Sequence, residues 1–428
     1  MAFLNKKFQK QQSSILAAID IGSSKICCAI AKKDDFVEEG SESFPVIRIL
    51  GFGQQASRGI KNGAIVDLEA LEDSVLNAIH TAEQSAGTNI EDVYVNIPTN
   101  LVKIHRINAT INISGKTVDD HHIKKILNLS RDHNIQSNEQ IIHVIPQSYT
   151  LDSTKGIIDP RGMVGEQLMA HILVLTAPVG LIRNLSTCLG RCHLDIESFV
   201  VSGYALALST LVEDEKTLGA TVIDIGGATT TMTSFLDGKL VDVITLPLGG
   251  NHITNDIARI LATPIFQAER LKNLYGTLLQ ALEDERETIV IPQLGEQYNT
   301  VQNNTVSKFY LSEIIRCRME EIFEYLFKYM KASKIDPVVY QRIIITGGSS
   351  QLSGTREFAT DLLGGQVRIG TPINTVGSTE LVQTPVFSTC AGLLRFASDA
   401  KKNQTQTKIS TQKEGPLQKI THWIRENF

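Results

Sequence analysis

The feature that most restricts how this chain can fold is an internal echo. Ile15 to Lys25 reads ILAAIDIGSSK, and Gly219 to Thr230 reads GATVIDIGGATT. Each copy is an apolar strand that ends in Asp-x-Gly followed by small hydroxyl residues. After both copies the pattern stays strand-like. The first continues as KICCAIA, the polar KKDDFVEEGSES and FPVIRILGFG; the second continues as TTMTSFL, Asp237-Gly238 and KLVDVITLPLGG. Asp-Gly between apolar runs is a strong short-range hairpin signal. The chain therefore carries two strand, turn, strand units, and these predict two related α/β lobes facing each other.

Helical spacing falls between the two units. Asp67 to Ala86 sets Leu68, Leu71, Val75 and Ile79 on one face, and Pro178 to Leu189, Leu206 to Leu211 and Leu311 to Met330 behave alike. Thr263-Pro264 before FQAERLKNLYG predicts an N-cap with Pro at the first helical position, closed by Gly276. From Glu91 to Ala177 the texture changes. VYVNI, VKIHRINATINI and HVIPQSYTLD alternate with one helix over Asp119 to Ser130, which predicts an inserted α+β subdomain. EDERE, from Glu283 to Glu287, reads as a solvated face. Ser398 to Gly415 is polar with one large aliphatic, Ile409, and predicts a flexible linker. PLQKITHWIRENF then regains helical periodicity, with Leu417, Ile420, Trp423, Ile424 and Phe428 on one face.

At 428 residues, 42% of them apolar and 20% charged, the chain suits several globular lobes with sizeable cores. A net charge of −5 lacks the basic excess expected of a nucleic-acid-binding surface. No apolar run reaches the eighteen or so residues of a spanning helix, and none of signal-peptide length follows Lys6, Lys7 and Lys10, so a cytosolic protein is expected. The six cysteines fit a reducing compartment. Cys188, Cys192 and His193 hint at half a metal site, but no second ligand pair stands elsewhere, so buried helix thiols are expected.

A polyphosphate held with a metal ion needs converging backbone N–H groups free of side-chain obstruction, and carboxylates for the hydrated cation. The two DIG turns supply both, with Asp20 and Asp224 at matching positions. A third element, IIITGGSSQLSG over Ile343 to Gly354, is an apolar strand that breaks at Gly347-Gly348 into a helix start, where backbone can approach a ligand closely. GFGQQA, from Gly51 to Ala56, matches the dinucleotide pattern G-x-G-x-x-A, but SRGIKNG follows where a helix is required. No G-x-x-x-x-G-K-[ST] loop is present.

DIGSSK at 20–25, DIGGATT at 224–230 and TGGSSQLSG at 346–354, in that order, resemble the phosphate-1, phosphate-2 and adenosine motifs of the actin, Hsp70 and sugar-kinase superfamily. Within it the chain resembles the FtsA family of bacterial division proteins almost end to end, through SRGIKNGAIVDLE, HVIPQSYTLD, GIIDPRGMVG, the run from Gly249, RIGTP and HWIRENF. The resemblance implies a two-lobed actin-like, ribonuclease-H-like α/β fold with an inserted subdomain 1C. Its implied order is lobe 1A over 1–90, subdomain 1C over 91–177, lobe 1A again over 178–218, subdomain 2A over 219–250, subdomain 2B over 251–335, and subdomain 2A with a final lobe 1 helix over 336–397. A linker over 398–415 and an amphipathic membrane-targeting helix over 416–428 complete it.

The resemblance also implies ATP with Mg2+ between the lobes. Gly22, Ser23 and Ser24, with Lys25, would wrap one side of the phosphates, and Gly226, Gly227, Ala228, Thr229 and Thr230 the other. Asp20 and Asp224 would hold the metal through water. Gly249, Gly250 and Asn251 would close the second phosphate side, Glu269 and Lys272 would meet ribose and base, and Gly347, Gly348 and Ser349 the adenosine side. Two departures stand out. Where polymerising relatives open the connect-1 segment with Glu-Pro, this chain has VVSGYALA, with Ser202-Gly203, and Ala228 replaces a third Gly. Positioning the attacking water is a large part of phosphoryl transfer, so ATP is expected to act first as a conformational ligand, with at most slow turnover.

The same resemblance makes the terminal helix a membrane anchor, in which Leu417, Ile420, Trp423, Ile424 and Phe428 enter the headgroup boundary and Lys419 and Arg425 meet anionic lipid. It places Arg318 and Glu321, in LSEIIRCRMEEIFEYL, at positions that contact the C-terminal peptide of the tubulin-like protein FtsZ; the plain alternative is an i, i+3 ion pair on a solvated face. Residues 399–428 carry six basic and three acidic side chains, a net of +3, so −5 less +3 leaves −8 on the body. The expectation is an ATP-binding adaptor that self-associates into filaments, tethers FtsZ to the cytoplasmic face of the inner membrane at the septum and helps recruit later divisome proteins. The rivals are an actin-fold enzyme, such as a sugar kinase or polyphosphate phosphatase, and a pilus-assembly adaptor. A kinase needs a catalytic Asp at a sugar site that motif spacing does not reveal.

Overall fold

The computed structural model describes residues 15–36, 44–130, 136–292, 305–377 and 379–407. Lobe 1 opens with β1 (Ile15–Ile21), β2 (Lys25–Phe36), β3 (Phe44–Ala56), a short hairpin of β4 (Ile60–Lys61) and β5 (Ala64–Ile65), α1 (Leu68–Ala86) and β6 (Asp92–Ile97). The insert follows, as β7 (Lys103–Asn112), α2 (Asp120–Leu129), β8 (Glu139–Leu151), β9 (Thr154–Ile157) and β10 (Gln167–Pro178). The chain returns to lobe 1 with α3 (Val179–Arg191), β11 (Asp195–Val201), α4 (Ser202–Thr210) and α5 (Glu213–Leu218). Lobe 2 holds β12 (Ala220–Ile225), β13 (Thr230–Leu236), β14 (Lys239–Leu246), α6 (Gly250–Ile260), α7 (Ile265–Tyr275), β15 (Thr288–Val290), β16 (Thr305–Ser307), α8 (Lys308–Ala332), β17 (Arg342–Thr346), α9 (Thr355–Leu363) and β18 (Gln366–Ile369). Last, β19 (Thr375–Val376) and α10 (Ser388–Thr407) return to lobe 1.

The echo in sequence is an echo in topology. Lobe 1 orders its sheet β11-β6-β1-β2-β3-β19 and lobe 2 orders its own β14-β13-β12-β17-β18. In both, an antiparallel three-strand meander is extended on the side of its first strand by parallel strands that arrive through helices. Asp237 and Gly238 take φ of 50° and 75° between β13 and β14, the left-handed pair that a two-residue hairpin with native twist requires.

Packing explains the local choices. Helix α1 is capped by the Asp67 side chain, which accepts from Ala70 N, and ends at Gly87 with φ 66°. It buries Leu71, Val75, Ala78, Ile79 and Ala82 on β3. A Cβ on Gly51 would lie 2.1 Å from the Ala82 carbonyl, and one on Gly53 2.0 Å from that of Ala78. Those two glycines, which mimic a dinucleotide pattern, are where the helix touches bare strand. On the other face of the sheet α10 crosses α4 just as closely: a Cβ on Gly392 would lie 1.8 Å from the Ala205 carbonyl.

Several sequence expectations change. VYVNI is β6 of the lobe 1 sheet, beside β1, and the insert's own sheet, β7-β10-β8-β9, starts at Lys103; a buried parallel strand and an insert strand look alike by alternation alone. The polar KKDD extends β2, where Asp34 pairs with Lys32 and Arg48. Pro264 is itself the N-cap of α7, and the Thr263 hydroxyl donates to Pro292 O at 2.7 Å instead of capping. EDERE is not wholly solvated, since Asp284 is buried and pairs with Lys308 at 3.0 Å. After Gly347 the chain makes one 3-10 turn, Gly348–Gln351, before α9. The expected linker from residue 398 begins as helix, because α10 runs to Thr407; its Ala, Lys and Gln are good helix formers, and polarity prevents a core without preventing a helix. The membrane-helix residues Leu417, Ile420, Trp423, Ile424, Arg425 and Phe428 lie outside the described residues. Among the described residues no helix is long and apolar enough to cross a membrane. Cys188 and Cys192 are buried thiols of α3 and its C-cap.

Candidate functional site

The two DIG turns face each other across a cavity of about 560 Å³ between the lobes. Their backbones match bond for bond. Ile21 pairs with Ile26 and Gly22 N donates to Lys25 O at 3.0 Å; Ile225 pairs with Thr230 and Gly226 N donates to Thr229 O at 2.9 Å. Asp20 is cross-strand from Cys27, as Asp224 is from Thr231. The turns approach so closely that a Cβ on Gly227 would sit 1.8 Å from Ser24 Oγ. Small residues here keep open a space that any side chain would fill.

The lobe 2 wall of the cavity is built by α6, α7 and the turn at Gly347. The start of α6 is pinned to the second turn, Gly250 N donating to Gly226 O at 2.9 Å and Asn251 N to Gly227 O at 2.7 Å. Gly249 serves that junction from behind: a Cβ there would meet Gly226 O at 2.6 Å. Lys272, buried on α7, donates to Gly250 O at 3.2 Å, Thr254 Oγ1 at 2.9 Å and Glu269 Oε2 at 2.7 Å. Burial opposes ionisation of Glu269, but the hydrogen bonds from Lys272 and Thr254 outweigh it and hold the carboxyl below its ordinary range. Gly347, at φ 88°, brings backbone against Asp224, where a Cβ would lie 2.2 Å from Oδ1.

Neither Asp20 nor Asp224 accepts a hydrogen bond from any described residue. Burial pushes both carboxyls up to about 6; Lys25 lowers both, and Asp20 adds a repulsive contribution at Asp224. Two desolvated carboxylates without protein donors, Asp20 buried and Asp224 half-buried, beside turns emptied of side chains, suit a hydrated divalent cation bridging to an anion. Lys25 lines the cavity while its Nζ donates to Val386 O at 2.7 Å.

Of the residues expected from sequence, Asp20, Gly22, Ser23, Ser24, Lys25, Asp224, Gly226, Gly227, Ala228, Thr229, Gly250, Asn251, Glu269, Lys272, Gly347, Gly348 and Ser349 all line this cavity. Thr230 does not: it is buried and its hydroxyl donates to Leu248 O at 2.9 Å, while Thr231 faces the cleft. Gly249 also stands behind the lining. Arg318 and Glu321 lie elsewhere, on α8, where Arg318 forks onto Asp256 of α6 at 2.7 and 3.0 Å and also meets Glu321. Sequence reasoning passed over Asn96, Thr99 and Asn100, which sit in a strand and a turn whose pattern gave no sign of a ligand; with Gln54, met only inside the rejected dinucleotide pattern, and Ser202, met only as a departure at the connect-1 segment, they form a lobe 1 wall of the cavity.

A family model described as Cell division protein FtsA matches residues 221–392, and one described as the SHS2 domain inserted in FTSA matches residues 100–176. The chain is 36% identical to Cell division protein FtsA of Rhizobium meliloti (strain 1021) over 99% of its own length and 97% of the relative's. It is 27% identical to that of Escherichia coli (strain K12) over 97% and 98%. Among solved structures it resembles a PilM-PilN type IV pilus biogenesis complex, with TM-score 0.61, 16% identity and coverage of 89% and 97%. It also resembles MreB5 of Spiroplasma citri bound to ADP, with TM-score 0.55, 12% identity and coverage of 92% and 99%. These structures establish the actin-like fold, and the second family model identifies the insert as an SHS2 domain.

Proposed function

Because this chain belongs to the FtsA family of cell division proteins, we propose that it is an ATP-binding adaptor joining FtsZ filaments to the membrane at the division septum. The observation that carries the nucleotide reading is the pair of matched turns with Asp20 and Asp224 unpartnered between them. Gly22 to Lys25 and Gly226 to Thr229 would surround the phosphates, the two aspartates would hold Mg2+ through its water shell, and Glu269 and Lys272 would meet the ribose. Bound Mg2+ neutralises phosphate charge. A chain with ligand contacts from both lobes pulls them together when the ligand is bound, and such closure suits a conformational ligand. Ser202 lines the wall where polymerising relatives open the segment with Glu-Pro, and on this reading turnover is slow at most.

The remaining parts of the reading rest on family membership. Residues 416–428 would lie on an anionic leaflet, placing the protein peripherally on the cytoplasmic face of the inner membrane. Arg318 and Glu321 would receive the FtsZ C-terminal peptide; since Arg318 already forks onto Asp256, the peptide's carboxylate would have to share or displace that partner. Copies would associate into filaments, and the SHS2 insert would recruit later divisome proteins. The test is co-sedimentation with anionic liposomes, with and without ATP and an FtsZ C-terminal peptide. Sedimentation of the full chain with retained peptide is expected. Sedimentation unchanged by deleting residues 416–428 would sink the anchor, and failure to retain peptide would sink the partner.

A further inference from the structure

The motif at Gly51 to Ala56 keeps one side chain that its packing role does not explain. Gly51 and Gly53 face α1, whereas Gln54 lines the interlobe cavity. The register sets it in a row. Asp20 pairs with Cys27 across β1 and β2, and Cys27 pairs with Gln54 across β2 and β3. Cross-strand partners share a face, so the row runs over the cleft side of lobe 1 from the candidate metal carboxylate to the Gln54 carboxamide, about 10 Å away at two strand spacings.

The Cys27 thiol donates to Gln54 Oε1 at 3.8 Å. That contact turns the oxygen toward the sheet and leaves the two Nε2 hydrogens for the cavity. The other amides and hydroxyls of this wall all have protein partners. Asn96 Nδ2 donates to Ile21 O and Ser202 Oγ, Ser202 Oγ donates to Ile97 O, Asn100 Nδ2 donates to Asn62 O, and Thr99 Oγ1 accepts from Gly203 N. Among the described residues, Gln54 is the one carboxamide on this wall whose donors have no protein partner. Gln54 stands on β3 of lobe 1, two strands from Asp20, whereas Glu269 and Lys272 stand on α7 of lobe 2, so the carboxamide is assigned to the end of a polyphosphate rather than to its nucleoside.

Resting on the nucleotide reading above, we infer that the Gln54 carboxamide reads the terminal phosphate and so sets the chain's preference for nucleoside triphosphate over diphosphate. The equivalent row of lobe 2 ends differently: Thr231 and Thr245 share a hydrogen bond at 3.2 Å and leave no amide to offer. A diphosphate ends short of Gln54 and does not engage it.

The test measures AMPPNP and ADP affinities by calorimetry, with Mg2+ and the full chain, for the wild type, Gln54→Ala, Gln54→Glu and Gln55→Ala. Gln55 occupies the opposite face of β3 and serves as the control. The expected result is a roughly tenfold loss of AMPPNP affinity in Gln54→Ala with ADP affinity retained, the size of one hydrogen bond to a charged group. Gln54→Glu loses more, by repulsion, and Gln55→Ala keeps the wild-type ratio. Retained ADP affinity also certifies that the variant is folded. An unchanged AMPPNP-to-ADP ratio in Gln54→Ala, or an equal fall in both affinities, overturns the inference while leaving the nucleotide site intact; a wild type that binds neither nucleotide overturns the site and the inference together.

Discussion

The two phosphate turns share a backbone and differ in chemistry. In lobe 1 the turn carries Ser23, Ser24 and Lys25, and its row across the sheet runs Asp20, Cys27, Gln54. In lobe 2 the turn carries Gly227, Ala228 and Thr229, and its row runs Asp224, Thr231, Thr245. Repetition of the topology fixes where the carboxylates stand. The side chains then divide the labour. At its turn lobe 2, with α6 and the Gly347 turn pressed against the hairpin, offers backbone, Thr229 and the Asp224 carboxylate, whereas the lobe 1 turn and its row add a lysine, two serine hydroxyls and an amide.

The largest way to break this comparison is to give lobe 2 a side chain. Gly227→Val should abolish nucleotide binding, at least about 100-fold, because its Cβ would already collide with Ser24 Oγ; Ser23→Ala in the opposing turn should cost no more than about tenfold, and calorimetry compares the two. Next, Asp20→Asn and Asp224→Asn should each weaken Mg2+-dependent binding by about tenfold or more. Each should also stabilise the ligand-free chain by roughly 1 to 3 kcal/mol, since a buried charge without donors is removed. Denaturant midpoints with and without Mg2+ distinguish these opposite signs. If only one Asn variant loses the metal dependence, the symmetry of the two carboxylates is broken.

Acid tests the same pair. Both carboxyls titrate near 6 in the fold against an ordinary value of 3.8. The penalty for ionising them is fully present above pH 6 and is relieved as pH falls from about 6 toward 4. Their contribution to ligand-free stability therefore rises over that window while Mg2+ affinity drops, because protons and cation compete. Melting curves and metal titration between pH 7 and 5 check both directions. The smallest effect is expected at Thr245→Val, which removes the Thr231 hydroxyl bond. It should cost about 1 kcal/mol of stability and leave the triphosphate preference unchanged, so a shift in that preference would erase the distinction drawn between the rows.

Local repetition made the lobes legible: Asp-x-Gly after an apolar strand, twice, announced the turns, and Asp237-Gly238 announced a hairpin. The insert was legible as a change in texture, although its boundary was not, since VYVNI satisfies the pattern of either sheet. Thr230 and Thr231 show the limit within the site. Neighbours in a strand face opposite ways, and a run of Thr-Thr-Thr gives no phase, so the structure was needed to assign Thr231 to the cleft. Gln54 was hidden for another reason. Its meaning comes from Cys27 and Asp20 in other strands, a relation that exists only after the sheet has assembled.

Helix α10 enters lobe 1 with Cys390 against Ala18 of β1 and Gly392 against the backbone of α4, then continues beyond the buried Ser398 to Thr407. Those last nine residues make a rod of about 14 Å at the rise of an α-helix. A load applied past Thr407 would enter the molecule through lobe 1, at the strand that carries Asp20. A pull on the tail would thus load one jaw of the cleft before the other.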